Sequence, residues 1–189
     1  MTQPAITIVV RGTPAPPAVL GLDLSLTATG LAGPDWTRTL KPPGRMVGVD
    51  RLDWILDRVV EHLDGVALAV VEGPSYGSVG RGQHERGGLW WLIARLLAHR
   101  QVPTAVVSPN ARAKYATGKG NAGKADVIRE VARRFDWFEG DDNAADALIL
   151  AAMGADHLGQ PMTTMPATHR AALTAVTWPT ITETTVEAP

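Results

Sequence analysis

Residues 18–40 read AVLGLDLSLTATGLAGPDWTRTL, and three short strands account for them. Ala18–Leu24 is a buried apolar strand interrupted by one carboxylate, Asp23. Ala28–Gly33 and Trp36–Leu40 flank Gly33-Pro34-Asp35, a turn signal joining two further strands. Downstream, Leu52, Ile55, Leu56, Val59, Val60 and Leu63 recur at helical spacing. Val66–Val71 is a continuous apolar run, suited to a strand covered on both faces. After a glycine-rich loop, Gly73–Gly88, a stripe of Leu89, Leu92, Ile93, Leu96 and Leu97 predicts a second helix. Val102–Val107 reads as a fifth strand, ended by Ser108-Pro109. A polar, glycine-containing stretch, Asn110–Gly123, leads to a helix over 124–135 with Val127, Ile128, Val131 and Phe135 inward. Asn143–Ala155 is apolar nearly all round and predicts a deeply packed helix. Three antiparallel strands followed by alternating elements imply an α/β domain, a mixed five-stranded sheet with helices on both faces.

The flanks differ in composition. Residues 1–17 hold an apolar run, Ile6–Val10, then three prolines, and read as an extra edge strand or an arm. Residues 18–158 form the domain. From Gly159 to Pro189, proline and threonine dominate, and a largely disordered tail is expected, with His169–Trp178 able to dock as a short helical turn or two. No apolar run approaches the ~20 residues of a membrane span, and the N-terminus lacks the order of a signal peptide. The expectation is a cytoplasmic protein with no membrane partner. Without cysteine there is neither a disulfide nor a thiolate zinc site. The net charge of −1 conceals an asymmetry: Arg81–Arg134 carries eleven Lys/Arg against three acids, a net of +8, so the rest carries −9. Such a division suits a nucleic-acid face beside an acidic metal site, or equally a solvated helix surface.

Three acids carry the chemistry. Asp23 lies within an apolar strand, Glu72 ends the run Val66–Val71, and Asp146 sits inside AADALILAAM with no Lys or Arg three or four residues away. A buried carboxylate is costly unless paired or bound to metal. Any one of these could be an ordinary hydrogen-bonded core acid. Three together suggest a shared cation. If the strands of Asp23 and Glu72 are parallel neighbours, both acids reach the crevice at the strands' C-terminal edge, and the helix of Asp146 closes it. Asp142 and Asn143 precede Asp146 by four and three residues, on the same helix face. All-oxygen ligation selects Mg²⁺, with Mn²⁺ a plausible substitute, over zinc. Two such ions about 3.5–4 Å apart would suit phosphodiester cleavage.

The element order is shared with the RNase H-like fold, and the motifs are more specific. VLGLDLSLTATGLA resembles the first motif of RuvC-type Holliday junction resolvases, VVEGPSYGS their second acidic motif, and DDNAADALILAA their final helix. The resemblance spans about residues 18–158, and the last motif is the most distinctive. It implies that Asp23, Glu72 and Asp146 match three of the family's four metal ligands. The fourth falls on Asn143, where the family has an acid. Either its amide oxygen ligates, or neighbouring Asp142 takes over, or a second metal is held weakly; Asn143 and Asp142 are both expected to line the site. The implied activity is a Mg²⁺-dependent, structure-selective endodeoxyribonuclease acting on four-way junctions, extending to other branched DNA in phage-encoded members, as a homodimer that cuts two opposed strands.

Lys124 opens a helix whose positive end favours a phosphate, and with Lys114 it corresponds to two lysines of the family, at a spacing one residue shorter. Lys119, Arg81 and Arg86 are further candidates for backbone contact. The family's stacking aromatic falls at Ser75, with Tyr76 beside it able to stack on a base or to pack within its own loop. Of Trp90 and Trp91, one is expected in the core and the other at a dimer contact. Three other readings stay open: an RNase of the same fold, a catalytically impaired junction-binding protein, and an actin- or sugar-kinase-like ATPase. The last rests on Asp23-x-Ser25-x-Thr27-x-x-Gly30, but this chain has room for only one of the two domains such proteins need.

Overall fold

The structure, a computed structural model, describes residues 18–74 and 82–181 in full, together with the strand backbones of 6–10 and 182–185. Strands β2 (Ala18–Asp23), β3 (Thr29–Ala32), β4 (Thr37–Leu40), β5 (Val66–Glu72) and β6 (Thr104–Val107) form one sheet in the order β4-β3-β2-β5-β6. β2–β3 and β3–β4 pair antiparallel, while β2–β5 and β5–β6 pair parallel. This is the mixed five-stranded sheet expected from the sequence. β1 (Ile6–Val10) stands apart from it, paired parallel with β7 (Ile181–Thr185) in a separate two-stranded sheet.

Alternation along the strands sorts the core into two layers. Leu20, Leu22, Ala69 and Val71 face helices α1 (Gly48–Val60) and α2 (Gln83–His99), against Ile55, Val59, Leu89 and Ile93. Val19, Leu68, Val70, Ala105 and Val107 face the other way, toward α3 (Pro109–Thr117), α4 (Lys124–Arg134) and α5 (Asp142–His157). Every residue of α5 from Ala144 to Asp156 is buried, as its all-round apolar pattern requires.

Helix α5 lies unusually close to the sheet because two strand positions lack a side chain. A Cβ on Gly21 would run into the Ala147 carbonyl oxygen and come within 2.6 Å of Ala151 N. One on Gly30 would collide with the Asn143 carbonyl, 2.6 Å from its carbon. Here backbone meets backbone, and the approach sets the height of Asp146 above the sheet.

Three expectations need correction. The stretch Asn110–Gly123, read as polar loop, holds helix α3. Ser108 caps it by accepting from Ala111 N, Pro109 occupies the first turn, and its inward residues are mostly alanines with Tyr115. Helix α2 begins at Gln83, inside the glycine-rich stretch, where Gly88 packs beneath Leu52. In the tail from Gly159 the expected disorder does not hold over 159–181, while the expected docking of His169–Trp178 in short helical turns does. Helix α6 (Ala167–Arg170) and a 3₁₀ turn over Ala171–Ala175 pack on α3, burying Met165, Ala172 and Val176. Asp156, whose side chain is wholly buried, accepts from Arg170 Nε at 3.0 Å, Arg170 Nη2 at 2.7 Å and Tyr115 Oη at 3.0 Å. His157 stacks on Trp178 with ring centroids 4.2 Å apart. No helix among the described residues is long and apolar enough to cross a membrane.

Candidate metal and nucleic-acid site

The strand registers bring the first two acids together. Leu22 pairs with Val71, so Asp23 and Glu72 are the next residues on adjacent parallel strands, about 4.8 Å apart. Both have the parity of Val19, Leu68 and Val70, and therefore point to the α5 side of the sheet. Glu72 is pinned by its neighbours: Gly73 N donates to Val107 O at 2.8 Å, and Trp90 Nε1 donates to the Glu72 carbonyl at 3.2 Å. Asp146, on the α5 turn that rides over Gly30, completes a pocket at the C-terminal edge of the two strands.

A cation already stands in this pocket. Arg112, on α3, donates from Nε to Glu72 Oε2 and from Nη1 to Asp146 Oδ1, with its side chain only 11% exposed. Sequence reasoning missed it, because the helix that aims it was read as loop. Burial works against the guanidinium's charge, but the carboxylates of Glu72 and Asp146 more than offset this and hold it protonated. Asp23 forms no ion pair among the described residues. Burial, then the like charges of Glu72 and Asp146, push its carboxyl up to about 7. Asp146 rises to about 6, through burial and Glu72 acting against the pull of Arg112.

Among the described residues no three acidic or histidine side chains form a ready-made metal cage. The donor set nevertheless suits a hard divalent cation, being carboxylate oxygens with an amide one helical turn away. Burial, with the like charges of Glu72 and Asp146, raises the proton affinity of Asp23 even with Arg112 beside them. Asn143 donates from its amide to Asp142 Oδ1 at 3.2 Å. Asp142 pairs with Lys124 at the start of α4; that hydrogen bond draws Asp142 down and lifts Lys124, which also feels Asp146 and Asp23. Asp141 caps α5, accepting from Ala144 N at 3.1 Å and Thr39 Oγ1 at 2.6 Å, with Lys41 3.1 Å away.

Other candidates are dispersed. Lys114 and Lys119 are exposed on and just after α3. Arg86 lines an open groove of ≈ 400 Å³ with Ser25, Thr27, Arg51 and Glu85. Tyr76 and Arg81 lie outside the described residues. The basic span is not one face: Arg95 and Arg100 belong to the α2 layer, and Arg129, Arg133 and Arg134 pair with Asp126 and Glu130 within α4. The hydroxyls of the β2–β3 turn serve their own backbone, with Thr29 Oγ1 donating to Ser25 O at 2.6 Å. Trp90 is half-buried against the core and Trp91 is 70% exposed, meeting edge to face.

No family model matches the chain, and none of the curated proteins matches it. Solved structures do. The chain is similar to RuvC of Thermus thermophilus, at 21% identity and a TM-score of 0.59, over 79% of this chain and 99% of that one. It is similar at 20% identity and a TM-score of 0.58, over the same shares, to T. thermophilus RuvC solved in complex with a Holliday junction substrate. The chain therefore has the RNase H-like fold of RuvC, as its element order and motifs imply.

Proposed function

We propose that this protein is a Mg²⁺-dependent, structure-selective endodeoxyribonuclease that cuts four-way junctions and other branched DNA. The observation that carries the reading is the convergence of Asp23, Glu72 and Asp146, from two strands and a distant helix, on one pocket. The substrate class is taken from the structural neighbour bound to a Holliday junction. In this reading the three acids hold Mg²⁺, with Asn143 and Asp142 at the rim and Mn²⁺ a substitute. A bound pair of such ions supplies activation of a water and stabilisation of the leaving oxygen. Lys124, with Lys114 and Lys119, engages backbone phosphates beside the pocket; Arg81 and Arg86 are further candidates for backbone contact, and Tyr76 stacks on a base. Contacts of this kind read DNA shape more than base identity. A homodimer would present two such pockets to opposed strands.

The test is incubation of a four-way junction with the protein and Mg²⁺. Nicking is expected, with Asp23→Asn and Glu72→Gln each abolishing it while junction binding persists. No cleavage of any branched DNA with any divalent metal removes the reading, and cleavage confined to RNA substrates replaces it with an RNase. A second reading, a junction-binding protein without cleavage, is favoured by Asn143 and by the hold of Arg112 on two of the acids. It predicts binding that is indifferent to metal.

A further inference from the structure

We infer that Arg112 is an internal counter-ion which a divalent cation must displace in order to load the site, so that metal affinity is set by a guanidinium as much as by the acids. The inference rests on the metal-binding reading above. Arg112 occupies one oxygen each of Glu72 and Asp146 with two separate nitrogens, and it is largely buried while doing so. A fork of this kind spans two carboxylates at once, which a point charge does not. Asp23 feels the charges of Glu72, Asp146 and Arg112 alike, so a metal drawn to these carboxylates meets the guanidinium at the same groups. Guanidinium and metal therefore compete for them.

The anchoring of α3 makes the exchange local. Its inward residues, Ala111, Ala113, Tyr115 and Ala116, are buried independently of Arg112, and Ser108 caps its start. Withdrawal of Arg112 then requires movement of its side chain and not of the helix that carries it. A site whose competent state is only partly populated binds with an affinity reduced by that fraction.

Titration calorimetry with Mn²⁺ alone, on metal-stripped wild type, Arg112→Gln and Arg112→Lys, tests this. If the guanidinium holds the pocket nine-tenths of the time, Arg112→Gln should bind about tenfold tighter. Arg112→Lys, which keeps the charge but not the fork, should fall between the two. Equal or weaker binding by both variants overturns the inference and leaves the metal reading standing. Binding by none of the three proteins removes the metal reading itself. A second readout needs no stable variant at the glutamine position. In the ¹⁵N spectrum of the wild type, the hydrogen-bonded Arg112 Nε–H, assigned by its loss in Arg112→Lys, should shift to a freely exchanging position on saturation with Mg²⁺. An unmoved resonance at saturation means that metal and guanidinium coexist, and the inference is wrong.

Discussion

The placement of Asp146 depends on two absent side chains, and Gly21→Ala is the sharpest perturbation of it. The added Cβ would overlap the Ala147 carbonyl and stand 2.6 Å from Ala151 N, roughly 1 Å inside ordinary contact, and both obstacles are backbone. No rotamer relieves such a clash, so α5 must lift as a body from β2. Overpacking a tight core costs about 1–3 kcal/mol where side chains can adjust, and this position belongs at or above the upper end. At about 2–4 °C per kcal/mol for a chain of this size, the melting temperature should fall by roughly 10 °C. Because the helix that moves bears Asp146, Mn²⁺ affinity should weaken in whatever fraction stays folded. Thermal unfolding followed by circular dichroism, with Gly44→Ala as control, measures the first effect; nothing lies within 4 Å of a Cβ there. A Gly21→Ala protein melting within about 2 °C of the control would refute the close approach of α5, and with it the height assigned to Asp146.

Other consequences are as direct. Asp23 ionises near 7 in the folded protein against 3.8 unfolded, so the folded state binds the extra proton between those values and stability drains away as pH rises through that window. In EDTA, Asp23→Asn should therefore exceed wild type in stability by about 2 kcal/mol at pH 5 and about 4 kcal/mol at pH 8; a gain independent of pH would contradict it. Saturating Mg²⁺ should raise the melting point of stripped wild type, by about 2.7 kcal/mol equivalent at a hundredfold excess over Kd, with no rise in Glu72→Gln. Tyr115→Phe removes one of the donors to the buried Asp156 carboxylate and should cost about 1–2 kcal/mol in urea unfolding. Limited proteolysis of the same variant should open the 165–178 segment, and unchanged resistance would show that Asp156 does not hold it.

How far the sequence was legible depended on how far each signal was local. The sheet was readable because β2, β5 and β6 are runs of large apolar residues, and the three acids stood out against those runs. Helix α3 was not, since periodicity is scored on large side chains and its inward positions are mostly alanines, which leave no stripe. Arg112 went unseen with it. The 165–178 segment was legible in part: His169–Trp178 was expected to dock in short helical turns, but the groups that hold it, Asp156 and Tyr115, are identifiable only once α3 and α5 lie side by side. Gly21 and Gly30 signal close approach by backbone, although what approaches is fixed by topology and not by neighbours in the chain.

Three acids without local partners implied a shared cation, and the cation present in the structure is Arg112, from 40 and 34 residues away along the chain. Its presence raises the question whether the cluster is a structural ion-pair network and nothing more. Charge decides against that. A network that exists to stabilise the fold matches its buried charges, since an unmatched one costs several kcal/mol while a matched one gains little over apolar packing. Among the described residues one guanidinium faces three carboxylates, and the third, Asp23, is pushed up to about 7, first by burial and then by the like charges of Glu72 and Asp146. Lys124 does not even the count, being engaged with Asp142 at the rim and largely exposed. Such an imbalance lowers stability at neutral pH, and no other charge among the described residues offsets it. Perturbed carboxyls in a crevice point to a functional site, and in the metal-binding reading proposed above a divalent ion supplies the missing charge.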